Sequence, residues 1–388
     1  MVFTLIFFFS LLVVAFAIPP IIKISIEKGL FDEPTESRKV HSRIVPNFGG
    51  IAIFFGFLLS CSLFIPSRFL PEAHLLMAAG LILFMVGLKD DIVGLSPFKK
   101  FLAQFASAFI VSIWANIRIS DLNGILGYEE IPYWASILLT SLFMVGVVNA
   151  FNLIDGVDGL AATLGVIFSL MYACLFFKAG EIGWAYLSIS LAGGLIGFLF
   201  FNLTPARIFM GDLGSLLIGF IAAITSVKFL AVSNEHEIMI GPLQITSSAG
   251  LVLAILIIPI FDTMRVFTLR VISNTSPFTA DRNHVHHRLL FLGLTHVQTT
   301  LVLALVNIMF IALALSLQQL GNTATIGLLM FTILTINGAM SIYIERYKKV
   351  LINNVNFSGR TSFEKHKIHN QPPHTRFGDT ILENIVKN

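Results

Sequence analysis

Long apolar runs, separated by short polar connections, dominate the chain from its first residue. A helix needs roughly 20 apolar residues to cross a bilayer. Eleven runs come close to that length, and together they predict an all-α integral membrane protein, a polytopic bundle of about 11 transmembrane helices. The predicted spans are 1–22, 49–66, 73–88, 98–115, 132–151, 159–177, 183–201, 212–230, 248–268, 298–317 and 324–344.

The composition agrees with this pattern. Of 388 residues 56% are hydrophobic and 12% are charged, and the mean hydropathy is +0.85. Soluble globular domains carry about 25% charged residues, so the chain is not a soluble domain with a single anchor. Residues 1–22 lack a basic start and a small-residue cleavage site, which favours an uncleaved span over a signal peptide.

Positive charge is distributed unequally between the two sets of connections. All but four of the 25 Lys and Arg residues fall on one side; the four are Arg68, Arg118, Lys178 and Lys228. Cytoplasmic loops carry the excess of basic residues, so we expect the N-terminus outside and the C-terminus in the cytoplasm. We expect a transmembrane domain over 1–344, with its site on the cytoplasmic face, and a basic cytoplasmic tail over 345–388.

Polar residues of unusual type collect on this predicted cytoplasmic side. In NAFNLIDGVDGLA, residues 149–161, Asn149, Asn152, Asp155 and Asp158 recur every third position. Polar groups at a membrane edge are costly unless they bind something, so the run predicts a binding site where a helix ends. A polar turn capped by Asp158 is the alternative, but it does not need Asn149 and Asn152 inside an apolar run.

Carboxylates occur at two further span ends. Asp90 and Asp91 end one span, before Ser96-Pro97, which has the form of an N-cap and first-turn proline. Adjacent carboxylates can bind a divalent metal, accept a proton or orient a basic partner; a solvated loop is the alternative. Asp212 opens another span, where a carboxylate suits a helix N-terminus.

The loop 269–297 contains a histidine cluster beside basic residues: His284, His286, His287 and Arg288. A zinc site is disfavoured because the two cysteines of the chain lie in apolar segments elsewhere. Such a cluster facing an acidic site favours the binding of an anion such as a phosphate, with a solvated loop as the alternative.

Two other stretches are candidates for supporting roles. The basic segment 38–50, with Lys39 and His41, could cover the site or hold an anionic head group, or could be a positive-inside loop. Asp262 and Arg265 are one helical turn apart, so we expect them to pair and to support the loop that follows.

Taken in order, these stretches resemble the polyprenyl-phosphate N-acetylhexosamine-1-phosphate transferases, glycosyltransferase family 4. The resemblance rests on Asp90-Asp91, N-x-x-N-L-I-D-G-x-D-G-L at 149–160, F-M-G-D-x-G-S at 209–215 and His-Val-His-His at 284–287. The H-x-H-H form is similar to the WecA/TagO-like branch. It departs from the three consecutive histidines of phospho-MurNAc-pentapeptide transferases. The reaction of peptidoglycan synthesis is therefore the alternative function within this resemblance.

The resemblance implies an enzyme of the bacterial cytoplasmic (inner) membrane that primes a cell-surface polysaccharide such as O-antigen. It implies transfer of a sugar-1-phosphate, GlcNAc-1-phosphate by default, from a UDP-N-acetylhexosamine to undecaprenyl phosphate. The products are a lipid diphosphosugar and UMP. The expected cofactor is Mg²⁺, with Mn²⁺ as a substitute. Expected partners are the two substrates and membrane lipid, without nucleic acid; a homodimer is an open option.

The resemblance also implies roles for the motif residues. Asp212 would be the principal Mg²⁺ ligand, with Asn152 beside it. Asp155 and Asp158 would contact the nucleotide sugar.

The remaining motif residues would bind phosphate groups. The histidines of H-x-H-H, helped by Arg288, would hold the diphosphate. Asp90 and Asp91 would orient the lipid phosphate or accept its proton.

A secondary transporter for an anionic solute is the alternative from another class. Transporters commonly bind their solute near the midplane at broken helices, often within internal repeats. Here the carboxylates cluster at one membrane edge and the sequence shows no repeat, which favours the enzyme.

Overall fold

The computed structural model describes residues 1–29, 45–122, 124–127, 130–275 and 283–365, the last stretch as backbone only from 351 onward. The chain divides into two compact units, 1–333 and 334–388. All candidate site residues that are described lie in the first unit.

Helices account for almost all regular structure of the described residues, and every predicted span contains at least one helix. One short antiparallel pair, β1 (Met239–Ile240) and β2 (Leu243–Gln244), follows α8. The helices are α1 Val2–Glu27, α2 Gly49–Phe64, α3 Ala73–Val93, α4 Pro97–Phe109, α5 Tyr133–Ile154, α6 Leu160–Lys178, α7 Ile182–Asn202, α8 Gly211–Glu235, α9 Ser248–Ile255, α10 Ile257–Ile272, α11 Val285–Phe291, α12 His296–Ser316 and α13 Gly321–Lys365.

The prediction of an all-α polytopic membrane protein is confirmed. Among the described helices, seven are long and apolar enough to cross a bilayer, or eight if one bent pair is a single span. α2 is a shorter apolar helix. The count of eleven spans and the orientation of the chain stay predictions.

The predicted span 248–268 is not one straight helix, because α9 and α10 meet at an angle of 75°. Pro259 lies in the first turn of α10 and has no N–H to donate to the carbonyl of Ile255. The side chain of Asn307 on α12 compensates, since its Nδ2 donates to the carbonyls of Ala254 at 2.9 Å and Ile255 at 3.2 Å. A break within an apolar layer is tolerated when such partners satisfy the freed backbone groups.

α8 is the most buried of the long apolar helices and lies at the centre of the bundle, in contact with α2, α3, α5 and α6. Its start packs closely on the end of α3. A Cβ added at Gly87 would lie 2.5 Å from the Cα of Leu213, so the two backbones touch there. This contact brings the C-terminal carboxylates of α3 to the N-terminus of α8.

The last helix runs past the predicted end of the transmembrane domain. The span is predicted to end at 344, but α13 continues as backbone helix to Lys365. Residues 366–388 of the predicted tail lie outside the described residues.

Candidate active site

The ends of α5, α7, α8 and α12, with the segments beside them, meet at one side of the first unit and line a cavity of about 330 Å³. The C-terminal end of α5, the loop 155–159 and the N-terminal turn of α8 form much of its wall. The lining residues are Asn47, Asn152, Asp155, Gly156, Val157, Asp158, Asn202, Phe209, Met210, Gly211, Asp212, Ser215 and His296. Two motifs of the sequence, the run 149–158 and the segment 209–215, therefore line one polar cavity.

Lys100 joins two of the predicted carboxylates at the edge of this cavity. Its Nζ lies 2.5 Å from Oδ2 of Asp212 and also contacts Oδ2 of Asp90. The other oxygen of Asp90 accepts a hydrogen bond of 2.6 Å from the N–H of Leu95. A cation between two carboxylates lowers their mutual repulsion, so Lys100 allows Asp90 and Asp212 to lie together. We missed Lys100 in the sequence because it is one of many basic residues in the polar connections.

Asp91 has a different environment from Asp90. Its two oxygens accept hydrogen bonds from the backbone N–H groups of Asp212 at 2.8 Å and Leu213 at 3.2 Å. The first N–H groups of a helix have no partner within the helix, so Asp91 acts as an N-cap supplied by another element. The sequence predicted that Asp212 opens a span; the structure confirms this and shows that Asp91 fixes its position.

The two asparagines of the 149–158 run have separate surroundings. Asn152 lines the cavity, and its Nδ2 donates to Oδ1 of Asp212 and to Oγ of Ser215, both at 3.0 Å. Asn149 is not among the described residues that line the cavity. Its Nδ2 donates to Oε1 of Gln104 at 2.6 Å and to the carbonyl of Val145, and its Oδ1 accepts from Gln104 at 3.4 Å. Asn149 therefore ties α5 to α4, one turn beyond Lys100.

The run 149–158 lies at a helix end, as predicted, although α5 ends at Ile154 rather than at 151; α6 begins at Leu160. Asp155 lines the cavity. Burial, reinforced by the negative charges of Asp212, Asp91 and Asp158, raises the pKa of Asp155 well above its ordinary value. A nearby cation would favour the ionised form of this carboxyl group.

Asp158 is held by two neighbouring elements. Its Oδ2 accepts from Thr204 Oγ1 at 2.7 Å, and its Oδ1 lies 3.2 Å from Nδ1 of His296. Burial alone would raise the pKa of Asp158, but the hydrogen bonds from His296 and Thr204 bring it below its ordinary value. Asp158 is thus an ionised acceptor that joins the loop 155–159 to the start of α12.

Asn202, at the end of α7, is a second site residue that the sequence analysis missed. It is buried, and its Oδ1 accepts from the N–H of Gly159 at 2.8 Å while its Nδ2 donates to the carbonyl of Ile208 at 2.9 Å. It therefore fixes the loop 155–159 against the segment before α8. A single polar residue at the end of an apolar run gave no pattern by which to find it.

The first histidine of the motif, His284, is anchored in the protein. The Nδ1 atom of His284 lies 2.8 Å from Oδ2 of Asp262, whose Oδ1 accepts from the N–H of Val285. The expected pair of Asp262 and Arg265 is confirmed, with 3.3 Å between Oδ1 and Nη2. Asp262 therefore supports the start of α11, as predicted.

His286 lies behind the aspartate loop. A Cβ added at Gly156 would be 2.5 Å from Nε2 of His286, so only glycine allows this approach. Burial, together with the neighbouring His287, lowers the pKa of His286 to about 3. A neutral imidazole is therefore the form of His286 near pH 7, and the role in diphosphate binding that the resemblance implies for it stays a prediction.

His287 and Arg288 are the motif residues with partly exposed side chains. Burial lowers the pKa of Arg288 to about 10, so its guanidinium stays charged at neutral pH. These two residues retain the capacity to contact an anion. Lys39 and His41 lie outside the described residues, and so does Arg282.

The donor set suits a hard divalent cation. Among the described residues no cluster of three or more His, Cys, Asp or Glu side chains is arranged to hold a metal. Mg²⁺, however, commonly takes only one or two carboxylates and completes its shell with water and substrate phosphates. Asp212 offers carboxylate oxygens, and the donation by Nδ2 of Asn152 leaves the Oδ1 atom of that amide available for a cation.

Comparison with known proteins places this arrangement in a family. Residues 73–230 match the model of glycosyl transferase family 4. A probable undecaprenyl-phosphate N-acetylglucosaminyl 1-phosphate transferase of Bacillus subtilis (strain 168) is 35% identical over 344 residues, 87% of this chain and 90% of that protein.

Relatives from other bacteria have similar names. A decaprenyl-phosphate N-acetylglucosaminephosphotransferase of Mycobacterium tuberculosis (strain H37Rv) is 32% identical over 75% of this chain and 76% of its own. An undecaprenyl-phosphate alpha-N-acetylglucosaminyl 1-phosphate transferase of Escherichia coli (strain K12) is 28% identical over 73% and 75%. Because the family model matches and a relative is 35% identical over 87% of the chain, the chain belongs to glycosyl transferase family 4.

Proposed function

We propose that the protein transfers N-acetylglucosamine-1-phosphate from UDP-GlcNAc to undecaprenyl phosphate, releasing UMP. The observation that carries the proposal is one cavity at the ends of membrane helices, lined by Asn152, Asp155 and Asp212. Lys100 joins Asp90 to Asp212 beside it, and Asp91 accepts from the backbone of Asp212. The names of the relatives indicate the substrates, and none of the three named above is a MurNAc-pentapeptide transferase.

The reaction is a displacement at phosphorus. An oxygen of the lipid phosphate attacks the β-phosphorus of the nucleotide sugar, and the bond from that phosphorus to the oxygen bridging to the α-phosphorus breaks. The electron pair of this bond leaves with UMP, and the lipid becomes a diphosphosugar. A phosphate monoester has its second pKa near 6, so most of the acceptor is a dianion near neutral pH. A general base is then not required.

Positioning and charge are the main contributions of the protein to such a step. Lys100 offsets the charges of Asp90 and Asp212, so that these carboxylates tolerate one another close to an anionic acceptor. Asp91 holds the first turn of α8, which fixes the side chain of Asp212. Asp90 is itself fixed by the N–H of Leu95 and by Lys100. It orients the lipid phosphate and is not needed to abstract a proton from it.

We further propose that Asp212 and Asn152 hold Mg²⁺. When bound, Mg²⁺ neutralises negative charge on the diphosphate and on the departing UMP. The chemistry of the two side chains, both oxygen donors at the cavity wall, supports this assignment.

We also propose that the protein lies in the bacterial cytoplasmic membrane with the cavity facing the cytoplasm. The excess of Lys and Arg on the cavity side supports this orientation. A cysteine placed at the exposed Ser96 would then react with a membrane-impermeant thiol reagent only in inside-out vesicles. Reaction in intact spheroplasts would reverse the proposed orientation.

The test of the proposed reaction is UMP release by the purified protein with undecaprenyl phosphate, Mg²⁺ and UDP-GlcNAc. Asp212→Asn, which keeps the shape of the side chain but removes its charge, is the negative control. We expect UMP only from the wild type and only when lipid and metal are both present. UMP with UDP-MurNAc-pentapeptide but not with UDP-GlcNAc would move the protein to the peptidoglycan reaction.

A further inference from the structure

His296 is a cavity-lining residue to which neither the sequence motifs nor the reaction outlined above give a role. It is the first residue of α12, directly after Thr295, whose side chain and Gln298 form a capping box. The side chain of His296 is 43% exposed, whereas that of its partner Asp158 is 12% exposed. The imidazole therefore lies between a buried carboxylate and open space.

The contact with Asp158 determines which ring nitrogen is available. Asp158 is an ionised acceptor, as its bond from Thr204 and its lowered pKa indicate. A carboxylate accepts and does not donate, so Nδ1 of His296 donates to Oδ1 of Asp158 across 3.2 Å, a closer contact than the 3.5 Å between Nδ1 and the backbone nitrogen of Asp158. The Nε2 atom is then the one left for a ligand, and in the imidazolium form, which the neighbouring carboxylate favours, it donates a hydrogen bond to a ligand oxygen.

Holding the aspartate loop does not require an imidazole at this position. Thr300, one turn further along α12, already donates from Oγ1 to the carbonyl of Asp158 at 2.9 Å. Asn202 secures the following residue, Gly159, from the other side. The loop thus has independent anchors on α7 and α12.

The charge of the cavity indicates that His296 has a role in binding an anionic ligand. Three aspartates line the cavity, and a nucleotide sugar would add the negative charges of its diphosphate. Among the described residues that line it, His296 is the only side chain that can become a cation. Charge-assisted hydrogen bonds to phosphate are roughly twice as strong as neutral ones, so a group of this kind would contribute to donor binding.

We propose that His296 binds the diphosphate of the nucleotide sugar through Nε2, while its Nδ1 holds Asp158. The proposal rests on the proposed function for the identity of the ligand. It adds a donor-binding residue on α12 to the residues of α3, α5 and α8.

Two substitutions separate the two nitrogens. In His296→Asn the amide nitrogen can take the place of Nδ1 and keep the bond to Asp158, but nothing replaces Nε2. In His296→Gln the amide nitrogen can reach the place of Nε2, and the bond to Asp158 is lost. His236→Asn, at the exposed far end of α8, is the matched control.

The measurements are the KM for each substrate and, independently of turnover, the Kd of UDP-GlcNAc by titration calorimetry with Mg²⁺. Loss of a hydrogen bond to a charged group corresponds to about a ten- to hundredfold change. We expect His296→Asn to raise the donor KM and Kd by that factor, with the KM for undecaprenyl phosphate unchanged. We expect His296→Gln to raise the donor Kd less than His296→Asn does, because its amide nitrogen donates to phosphate without a positive charge. We expect the control to bind the donor within about threefold of wild type, a difference of roughly 0.7 kcal/mol.

The opposite pattern, in which His296→Asn binds UDP-GlcNAc normally and His296→Gln binds it weakly, would show that His296 acts only through Asp158 and would overturn the proposal. Normal donor binding by both variants would overturn it as well. If both variants are impaired to the same degree, the same substitutions in an Asp158→Asn background decide. A loss that persists there supports direct contact, and a loss that disappears refutes it. A wild type that binds UDP-GlcNAc but forms no UMP contradicts the proposed function, not the role of His296.

Discussion

Replacing Lys100 by methionine tests whether the acidic site depends on an internal cation. Its Nζ is 2.5 Å from Oδ2 of Asp212, and the side chains of Lys100, Asp90 and Asp212 are only 23%, 10% and 28% exposed. At an effective dielectric constant of 20, two unit charges at that distance attract by about 7 kcal/mol before desolvation is counted. Methionine keeps much of the length of the lysine stem but leaves the two carboxylates without this partner.

The net effect is smaller than the attraction, because desolvation opposes it. Removing one partner of a buried charge pair typically costs about 3–5 kcal/mol. If that cost falls on the transition state, it corresponds to about a 10²- to 10⁴-fold loss in kcat/KM. We expect Lys100→Arg, which keeps the charge with a different geometry, to retain more activity than Lys100→Met.

The assay is UMP release at saturating Mg²⁺, with thermal unfolding in detergent as a check on folding. Lys99→Met is the matched control, since Lys99 is the exposed neighbour in the same turn. An exposed substitution changes free energies by about 0.5 kcal/mol or less, so we expect activity within about twofold of wild type. If Lys100→Met is as active as Lys99→Met while equally stable, the assigned role of Lys100 is wrong.

Three further predictions concern residues that hold the site together. Asp91→Ala removes the cap of α8 and should lower the free energy of unfolding by about 0.5–2 kcal/mol, with Asp91→Asn milder; equal thermal midpoints for wild type and Asp91→Ala would refute the cap. Asn149→Leu leaves the buried amide of Gln104 without its hydrogen-bond partner and should lower the free energy of unfolding by about 1–3 kcal/mol. In a double-mutant cycle, the double variant with Gln104→Leu should lose less of this free energy than the two single variants together. Strict additivity would show that the pair is not coupled. His286 has a folded-state pKa of about 3 against an ordinary value of 6.5, so the unfolded state binds its proton first and stability is lost as the pH falls below 6.5. The free energy of unfolding should fall by about 2 kcal/mol between pH 7 and pH 5 because of this group, and His286→Gln should lack that fall. An equal change with pH in wild type and His286→Gln would refute the lowered pKa.

The sequence was informative where polar residues interrupted apolar runs. Asp90, Asp91, Asn152 and Asp212 stood out because such residues are costly at a membrane edge, and the structure brings them together. Their individual surroundings depended on contacts between helices far apart in the chain. The capping of α8 by Asp91 joins positions more than 100 residues apart, and local pattern carries no information on it.

Other features were hidden because their residue types are common in their setting. Lys100 was one basic residue among many in connections where basic residues also determine topology. The bend after α9 depends on Pro259 together with Asn307, which lies on another helix. Sequence alone did not distinguish the members of the histidine motif from one another, and burial separates a neutral His286 from the partly exposed His287 and Arg288.

The fate of the β-phosphorus tests the central claim most directly. The purified protein would be given undecaprenyl phosphate, Mg²⁺ and UDP-GlcNAc labelled in the β-phosphate, and the label would be followed into lipid and nucleotide fractions. We predict that the label enters the lipid in a one-to-one ratio with UMP released, and that Asp212→Asn transfers none. Label remaining in UDP while the sugar alone moves to the lipid would contradict transfer of the sugar-1-phosphate.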